Sequence, residues 1–431
     1  MNQYASMIRK LKTAPVMEQL SRLYGNRDGM LVEQTARYIS LLKRHEETFN
    51  SGDGPVFLIS APGRTEIGGN HTDHNRGKVL AAAVNLDTVS AVSARKDMAV
   101  HLHSDGYPAL VLDLSELTPQ PAEKGTTAAL IRGVAERMQQ LGYKIGGFDA
   151  VVTSNVSSGS GLSSSAAFEV LTCAILDKLY NGWSIDYKLR AQISQYAENV
   201  HFGKPSGLLD QLTSAVGGAI FADFSDPKKP RIEKIHTAGL LPVGMTLCVT
   251  DTRGSHSELT GEFAAIRHEM ESVAVCLGGK VLGQVKEQEF WKALPRLRRA
   301  CGDRAVLRAV HYFEENARAL AQRNALVSGD FNAFLQLILE SGHASFALCQ
   351  NVYCSTDVRH QGLSVALALS QTLLEGQGGA WRMQGGGFAG TIQAFVPGML
   401  TAKYHDAIEK VFGAGSCYLL RLREQGALRV I

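Results

Sequence analysis

FDAVVTSNVSSGSGLSSSAAFEVLTCAILDKLY, residues 148–180, contains a short apolar run, a loop of glycine and serine, and a long segment with helical spacing. This order predicts a strand, a loop and a helix. Gly159 and Gly161 let the backbone approach a ligand closely, and the serines at 163–165 place hydroxyls at the start of the helix. Because a helix N-terminus presents free N–H groups and a favourable dipole, the stretch predicts an anion site that suits a triphosphate.

Two common phosphate-binding motifs do not fit this loop. A Walker A loop needs a lysine after its second glycine, but Leu162 follows Gly161. A dinucleotide-binding loop needs glycine where Ser164 stands, and its acidic residue ends a second strand, whereas Asp177 lies within the predicted helix. A serine-rich helix cap explains one hydroxyl but not two glycines with three consecutive serines. We therefore favour a phosphate site of another class.

The length and composition indicate a globular protein of two domains. At 431 residues the chain is longer than one hydrophobic core usually supports. Apolar residues make up 45% and charged residues 20%, which is enough for a full core. Strand-like and helical patterns are mixed throughout, and SDPKKPR at 225–231 has the composition of a surface turn. We therefore expect an α+β fold with an N-terminal domain at 1–225 and a C-terminal domain at 226–431.

The charge pattern argues against a nucleic acid or a membrane as a partner. The formal net charge is +3, and acidic and basic residues are interspersed along the chain. No stretch approaches the length of a transmembrane helix, and the first residues lack the apolar core of a signal peptide. We expect a cytoplasmic protein that acts on small molecules, with a monomer and a homodimer both left open.

A second polar cluster lies in APGRTEIGGNHTDHNRG, residues 61–77. The preceding PVFLIS predicts a short buried strand that ends at the turn Pro62–Gly63. The loop that follows combines cationic, acidic, amide and imidazole side chains: Arg64, Glu66, Asn70, His71, Asp73, His74 and Asn75. Such a density of hydrogen-bonding groups is typical of a loop that binds a polyol, whereas an exposed polar loop would not need Arg64 directly after a buried strand.

Four motifs together resemble one family. The pattern PGR-x-x-x-IG-x-HTD is matched from Pro62 to Asp73, allowing for one residue, and GLSSSAA is matched from Gly161 to Ala167. AENVHFGKPSGLLDQLTS at 197–214 and the glycine-rich run at 385–390 follow in the same order. In these motifs the chain resembles the GHMP kinase superfamily and, within it, the galactokinases.

The resemblance implies a two-domain GHMP kinase fold with the active site in the cleft between the domains. It implies ATP-dependent phosphorylation of the anomeric hydroxyl of galactose to galactose 1-phosphate. By similarity, Asp210 accepts the proton of that hydroxyl, and Arg64 keeps Asp210 ionised and stabilises the transferring phosphoryl group. Glu198 corresponds to the family's magnesium-binding glutamate, with Ser164 as the expected second protein ligand of Mg²⁺.

The resemblance also implies two sets of binding residues. The expected sugar-binding residues are Asn70, His71, Asp73, Gly207, Phe263 and Gly386. The expected residues around the ATP phosphates are Gly159, Ser160, Gly161, Leu162, Ser163, Ser164, Ser165 and Ala166.

Two positions depart from the galactokinase pattern and bear on the substrate. Asn70 stands where the family usually has a glutamate that contacts the hydroxyl on the sixth carbon of the sugar, and Phe263 stands where a tyrosine is common. An amide donates as well as accepts hydrogen bonds, so that galacturonate, N-acetylgalactosamine or arabinose are alternative substrates. A sensor that binds galactose and ATP without turnover is a third alternative, although such sensors tend to lose the catalytic residues that are kept here.

Overall fold

The computed structural model describes residues 3–26, 29–49, 54–156, 161–226, 229–237, 240–254 and 259–431. Their strands form two sheets, and helices pack against both. The predicted α+β class is therefore confirmed. Within the described ranges, every helix is too short or too polar to pass through a bilayer.

The larger sheet contains eight strands among the described residues. These are β1 (Val56–Gly68), β2 (Lys78–Ala94), β3 (Ala99–Ser104), β4 (Leu110–Asp113), β5 (Phe148–Ser154), β6 (Ala219–Asp223), β7 (Arg231–Ile235) and β12 (Leu428–Arg429). The main order is β12-β1-β2-β5-β3-β4, and β6 joins β2 to β7. The long strand β2 pairs with β6 over 78–82 and with β5 over 88–94, so its one edge supports two different neighbours.

Helices cover both faces of this sheet. The three N-terminal helices are α1 (Gln3–Leu11), α2 (Ala14–Tyr24) and α3 (Met30–Phe49), and the next four are α4 (Thr127–Gln140), α5 (Ser164–Tyr180), α6 (Tyr187–Tyr196) and α7 (Leu209–Val216). Alternation along β1 divides the core, because Leu58 packs with the cluster of α1–α3 and Ile59 with the cluster of α4–α7. Burial on both faces explains why the strands are largely apolar.

The strand that begins at Val56 does not end at a Pro-Gly turn, and that prediction is wrong. β1 continues through Pro62 and Gly63 to Gly68, and its pairing with β2 shifts register between Pro62 and Arg64. A proline within a strand is tolerated at such an irregularity, because the missing N–H falls where the ladder is interrupted. The polar cluster therefore starts inside a strand.

The smaller sheet contains four antiparallel strands in the order β11-β8-β10-β9. They are β8 (Met245–Asp251), β9 (Ala380–Met383), β10 (Thr391–Pro397) and β11 (Cys417–Leu420). The helices of this part are α8 (Thr260–Cys276), α9 (Glu287–Cys301), α10 (Asp303–Ser328), α11 (Phe331–Ala344), α12 (Gly362–Leu374) and α13 (Thr401–Phe412). The change of domain at 225/226 stays a prediction, and the larger sheet extends beyond it through β7 and β12.

A buried charge network ties the N-terminal helices and the C-terminal tail to the larger sheet. The carboxylate of Asp87 on β2 accepts hydrogen bonds from Arg37 of α3 at 2.7 Å and from Arg423 of the tail at 2.9 Å. The hydroxyls of Tyr24 and Ser60 donate to the same carboxylate, each at 2.5 Å. Burial raises the pKa of Asp87, but the two guanidinium groups and the hydroxyl donors outweigh burial, and its pKa lies below the usual value.

We expect Asp87→Asn to lower the free energy of unfolding by about 3–5 kcal/mol, because it leaves two buried guanidinium groups without an anion. Urea unfolding at pH 7, followed by circular dichroism, measures this. Glu18→Gln is the control, because Glu18 pairs with Arg22 on the surface of α2, where both side chains are 65% exposed. That change should cost less than about 1 kcal/mol. Equal losses in the two variants would contradict the structural role of Asp87.

Candidate active site

Arg64 on β1 and Asp210 on α7 form a two-pronged ion pair. Arg64 Nε donates to one carboxylate oxygen of Asp210 and Nη2 to the other, both at 2.7 Å. The third nitrogen, Nη1, donates to the carbonyl oxygen of Gly161, and the hydroxyl of Ser163 donates to Asp210. The structure thus brings three of the sequence motifs together at one carboxylate.

These contacts keep Asp210 ionised. Partial removal from water raises the pKa of Asp210, but the charge and hydrogen bonds of Arg64 and the hydroxyl of Ser163 lower it, and the net pKa lies below the usual value. Asp210 also lies in the first turn of α7, where the helix dipole favours a negative charge. The carboxylate is 29% exposed, so that a small ligand in the cleft can reach it.

The predicted phosphate loop leads into the N-terminus of α5. Ser163 precedes the helix with a left-handed backbone at φ 59°. Gly161 has φ 66°, and a Cβ there would lie 2.2 Å from the hydroxyl oxygen of Thr391, so that only glycine fits. Leu162 and Ala166 are buried, and the Leu162 carbonyl accepts a hydrogen bond from the backbone N–H of Arg64.

This geometry gives the described part of the loop the features of an anion site. The helix that begins at Ser164 has 17 residues, and its first N–H groups have no partner within the helix. Gly159 and Ser160, also predicted to bind phosphate, lie outside the described residues.

Glu198, the predicted metal ligand, is buried in a π-helical segment at Ala197–Phe202. One carboxylate oxygen accepts hydrogen bonds from Ser165 at 2.9 Å and from Lys204 at 3.1 Å. The other oxygen accepts from Gln211 at 2.7 Å. Ser165, in the first turn of α5, is therefore the serine seen to contact Glu198, while Ser164, the predicted second ligand of Mg²⁺, is the first residue of that helix.

The residues around Glu198 suit a magnesium ion whose other ligands are mostly water molecules and phosphate oxygens. No cluster of three or more His, Cys, Asp or Glu side chains able to hold a metal ion is found among the described residues. One carboxylate and one serine hydroxyl beside a phosphate loop are the donor set expected for Mg²⁺ bound with a nucleotide, because Mg²⁺ dehydrates reluctantly. The ammonium group of Lys204 pairs with this carboxylate at 3.1 Å.

Sequence reasoning missed a second buried carboxylate next to Glu198. The side-chain nitrogen of Gln211 donates to Glu198 and also to Glu169 of α5 at 3.0 Å, so that one amide bridges two acids. Burial, followed by the charge of Glu198, raises the pKa of Glu169 well above the usual value. The sequence pattern places Glu169 in a mostly buried helix but does not show what it contacts. Its partner, Gln211, lies on α7, and that contact appears only in the folded structure.

Several of the residues predicted to bind the sugar lie close to one another in the structure. A Cβ at Gly207 would lie 1.9 Å from a carboxylate oxygen of Asp73, which shows how closely the two residues approach. His71 Nε2 is 3.0 Å from the carbonyl oxygen of Gly386. Burial lowers the pKa of His71 to about 4, so the ring is neutral at pH 7. A Cβ at Gly386 would lie 2.5 Å from the ring of Phe263, so the glycine-rich run packs on that ring.

A cavity of about 250 Å³ lies beside these residues. Its lining residues are Asp73, His74, Arg76, Gln195, Gly207, Leu208, Phe224 and Pro230. The lining combines charged and polar side chains with the apolar side chains of Leu208, Phe224 and Pro230, which suits a polar ligand with an apolar face.

Asn70 differs from the other predicted sugar ligands, because protein groups surround its amide. Asn70 is 1% exposed, and its nitrogen donates to Glu66 at 2.9 Å and to the carbonyl oxygen of Gly385 at 2.7 Å. Its oxygen accepts from Asn351 at 2.9 Å. Glu66 stood in the polar cluster of the sequence but was not predicted to bind the sugar, and the structure places it between Asn70 and Arg382.

Comparisons with known proteins show which family the chain resembles. A family model described as the galactokinase galactose-binding signature matches residues 43–94, and a model for the GHMP kinase N-terminal domain matches residues 129–218. A galactokinase of Streptomyces coelicolor is 33% identical over 393 residues, which is 88% of this chain and 96% of the relative. A galactokinase of Streptomyces lividans is 34% identical over 361 residues, which is 82% of this chain and 85% of the relative.

A solved structure has the same fold. The crystal structure of Lactococcus lactis galactokinase complexed with galactose superposes with a TM-score of 0.77 and covers 91% of this chain and 99% of its own. At 23% identity this likeness bears on the fold alone.

We expect Glu169→Gln to stabilise the protein at pH 8 and to leave its stability unchanged at pH 4. The pKa of Glu169 is raised in the folded state, so its protonated form contributes fully to the free energy of unfolding at pH values below the usual pKa of 4.5. This contribution is lost as the pH rises through the raised pKa of the folded state. An amide does not undergo this loss, and the gain should be about 1–3 kcal/mol at pH 8. Thermal unfolding in EDTA at both pH values measures it, and Glu289→Gln on α9 is the control, because Glu289 pairs with Lys292 on the surface and is 57% exposed. A gain of the same size at pH 4 would contradict the expected protonation.

Proposed function

Because this chain belongs to the galactokinase family of the GHMP kinases, we propose that it transfers the γ-phosphoryl group of ATP to the anomeric hydroxyl of galactose. The products are galactose 1-phosphate and ADP. The observation that carries this proposal is the ion pair of Arg64 and Asp210, which faces the cleft beside the N-terminus of α5. A sugar kinase of this family needs an acidic group at the acceptor hydroxyl and an anion site for the donor, and the two lie together here.

In the proposed reaction, Asp210 accepts a hydrogen bond from the anomeric hydroxyl and then its proton. The hydroxyl oxygen forms the new bond to phosphorus while the bond between the γ-phosphorus and the oxygen of ADP breaks. The pKa of Asp210 lies below its usual value and far below that of a sugar hydroxyl. Proton transfer therefore becomes favourable only as the new bond forms, and before that step Asp210 orients the hydroxyl.

Arg64 sets the state of Asp210 and adds positive charge to the site. Its contacts with Asp210 and Gly161 use three of the five N–H bonds of the guanidinium group. The remaining N–H bonds and the positive charge suit a phosphoryl group that carries negative charge during transfer. A lysine at this position would hold Asp210 through a single point charge and lose the two-pronged geometry.

We further propose that Mg²⁺ accompanies the nucleotide and that the enzyme works in the cytoplasm, where its phosphoryl donor is available. Glu198 would hold the ion together with the hydroxyl of Ser164 or Ser165. When bound, Mg²⁺ neutralises negative charge on the phosphates. His71, Asp73, Gly207 and the segments around Phe263 and Gly386 are proposed to contact the sugar, with His71 as a neutral hydrogen-bonding group.

The activity is tested by mixing the purified protein with ATP, Mg²⁺ and a single sugar and following the release of ADP. The panel contains galactose, galacturonate, N-acetylgalactosamine, arabinose and glucose. We expect turnover to depend on sugar and to be fastest with galactose. A preference for another sugar would replace galactose as the substrate, and sugar binding without turnover on the whole panel would identify a sensor.

We expect Asp210→Asn to lower kcat by about 10²–10⁴-fold, because the amide accepts no proton, with a much smaller change in galactose affinity. Steady-state kinetics measure the first quantity, and calorimetry with galactose measures the second. Asp303→Asn, a change in an ion pair on the surface of α10, is the control and should leave both unchanged. A kcat within a few fold of the unmodified enzyme would refute the role of Asp210.

A further inference from the structure

Glu66 lies on the same side of β1 as the catalytic arginine. The pairing of β1 with β2 runs from Arg64 to Glu66 without a register shift. Because successive side chains of a strand point to opposite faces, two residues that lie two positions apart share a face. Arg64 contacts Asp210, and this alternation therefore directs the Glu66 carboxylate toward the cleft.

One oxygen of the Glu66 carboxylate is fixed by the protein, and the other is not. Oε1 accepts a hydrogen bond from Asn70 at 2.9 Å and lies 3.0 Å from Nη2 of Arg382. Among the described residues, both side-chain hydrogen bonds to this carboxylate go to Oε1, and none goes to Oε2. The side chain is 10% exposed, and Oε2 is not fully buried. A ligand in the cleft thus has one carboxylate oxygen available.

The amide of Asn70 is fully used within the protein. Its two N–H bonds go to Glu66 and to the carbonyl oxygen of Gly385, and its oxygen accepts from Asn351. The backbone carbonyl of Asn70 also accepts from the ring of His311 at 2.9 Å. A residue with 1% exposure and these contacts holds its neighbours in place.

We propose that Glu66, held by Asn70 and Arg382, is a specificity-determining residue that binds a hydroxyl of the sugar through Oε2. This rests on the proposed galactokinase function. Asn70 is then a positioning residue, and its presence does not by itself indicate an unusual substrate. The carboxylate that selects the sugar is supplied by the strand, four residues before Asn70, instead of by the loop.

The charge of Glu66 also bears on which sugars are accepted. Burial raises the pKa of Glu66 above its usual value, although the charges of Arg382 and Arg64 and the hydrogen bond from Asn70 act in the opposite direction. The ion pair with Arg382 favours the charged form of Glu66, and a charged carboxylate accepts a hydrogen bond from a neutral sugar hydroxyl and repels the carboxylate of a uronic acid. The site therefore selects a neutral galactose-like sugar against galacturonate.

The test compares the unmodified enzyme with Glu66→Gln at pH 8, using galactose, galacturonate and the 2-, 3-, 4- and 6-deoxygalactoses. We expect kcat/KM for galactose to fall about 10- to 100-fold in the variant, the range for a hydrogen bond to a charged group. For the deoxygalactose that lacks the bound hydroxyl, the two enzymes should differ by less than about threefold. The ratio of galacturonate to galactose turnover should rise, because the amide removes the repulsion.

Glu315→Gln is the matched control. Glu315 is a fully buried carboxylate on α10 that accepts hydrogen bonds from the backbone N–H of Gly69, the hydroxyl of Ser341 and the guanidinium group of Arg318. Burial raises its pKa, and the charge of Arg382 lowers it. This change removes a buried negative charge that interacts with Arg382, and it does so inside the protein, so substrate ratios should stay the same. Asn70→Ala, which releases Glu66, should shift the ratios in the same direction as Glu66→Gln and serves if that variant does not fold.

The outcomes separate this inference from the function on which it rests. An unmodified enzyme that does not use galactose would overturn the proposed function. An unmodified enzyme that uses galactose, with Glu66→Gln lowering kcat/KM by the same factor for all sugars, would overturn the role of Glu66 alone.

Discussion

The contact between Arg64 and Asp210 joins β1 to α7 across 146 positions of sequence, and the active-site geometry depends on it. Both groups are charged and largely removed from water, so neither is tolerated there without the other. The same guanidinium group holds the Gly161 carbonyl, and the same carboxylate accepts from Ser163. The acid, the arginine and the phosphate loop therefore take up their positions together, because each satisfies a polar group of the next.

The end of β1 shows how the smaller sheet completes the cleft. The register of β1 shifts between Glu66 and Gly68, so that its backbone is not fully satisfied by β2. Side chains of the smaller sheet supply the missing donors, since Arg382 donates to the carbonyl oxygen of Ile67 and Gln393 to that of Glu66. An irregular strand end thus becomes a rigid wall of the site, held by buried donors from 300 or more residues away.

The sequence was most informative where function needs an unusual backbone. Glycine at 161 was expected for a close approach, and its left-handed φ and the nearby hydroxyl of Thr391 explain why no other residue fits. The turn expected at Pro62–Gly63 was not found, because a proline at a strand irregularity has the same local sequence as a proline in a turn. A turn and an irregular strand differ here only in whether the segment pairs with β2, and the local sequence does not show that pairing.

The sequence by itself determined the order of the motifs, the helix that begins at Ser164 and the identity of the chemical groups, because these depend on residues close together in the chain. Only the tertiary structure decided which groups meet: Asn70 faces Glu66 and Gly385, and Gln211 bridges two buried acids. The physical reason is that a hydrogen bond between distant residues forms only when the donor and acceptor are placed to within a few tenths of an ångström and the donor points at the acceptor. Those quantities exist only after the sheets and helices have packed.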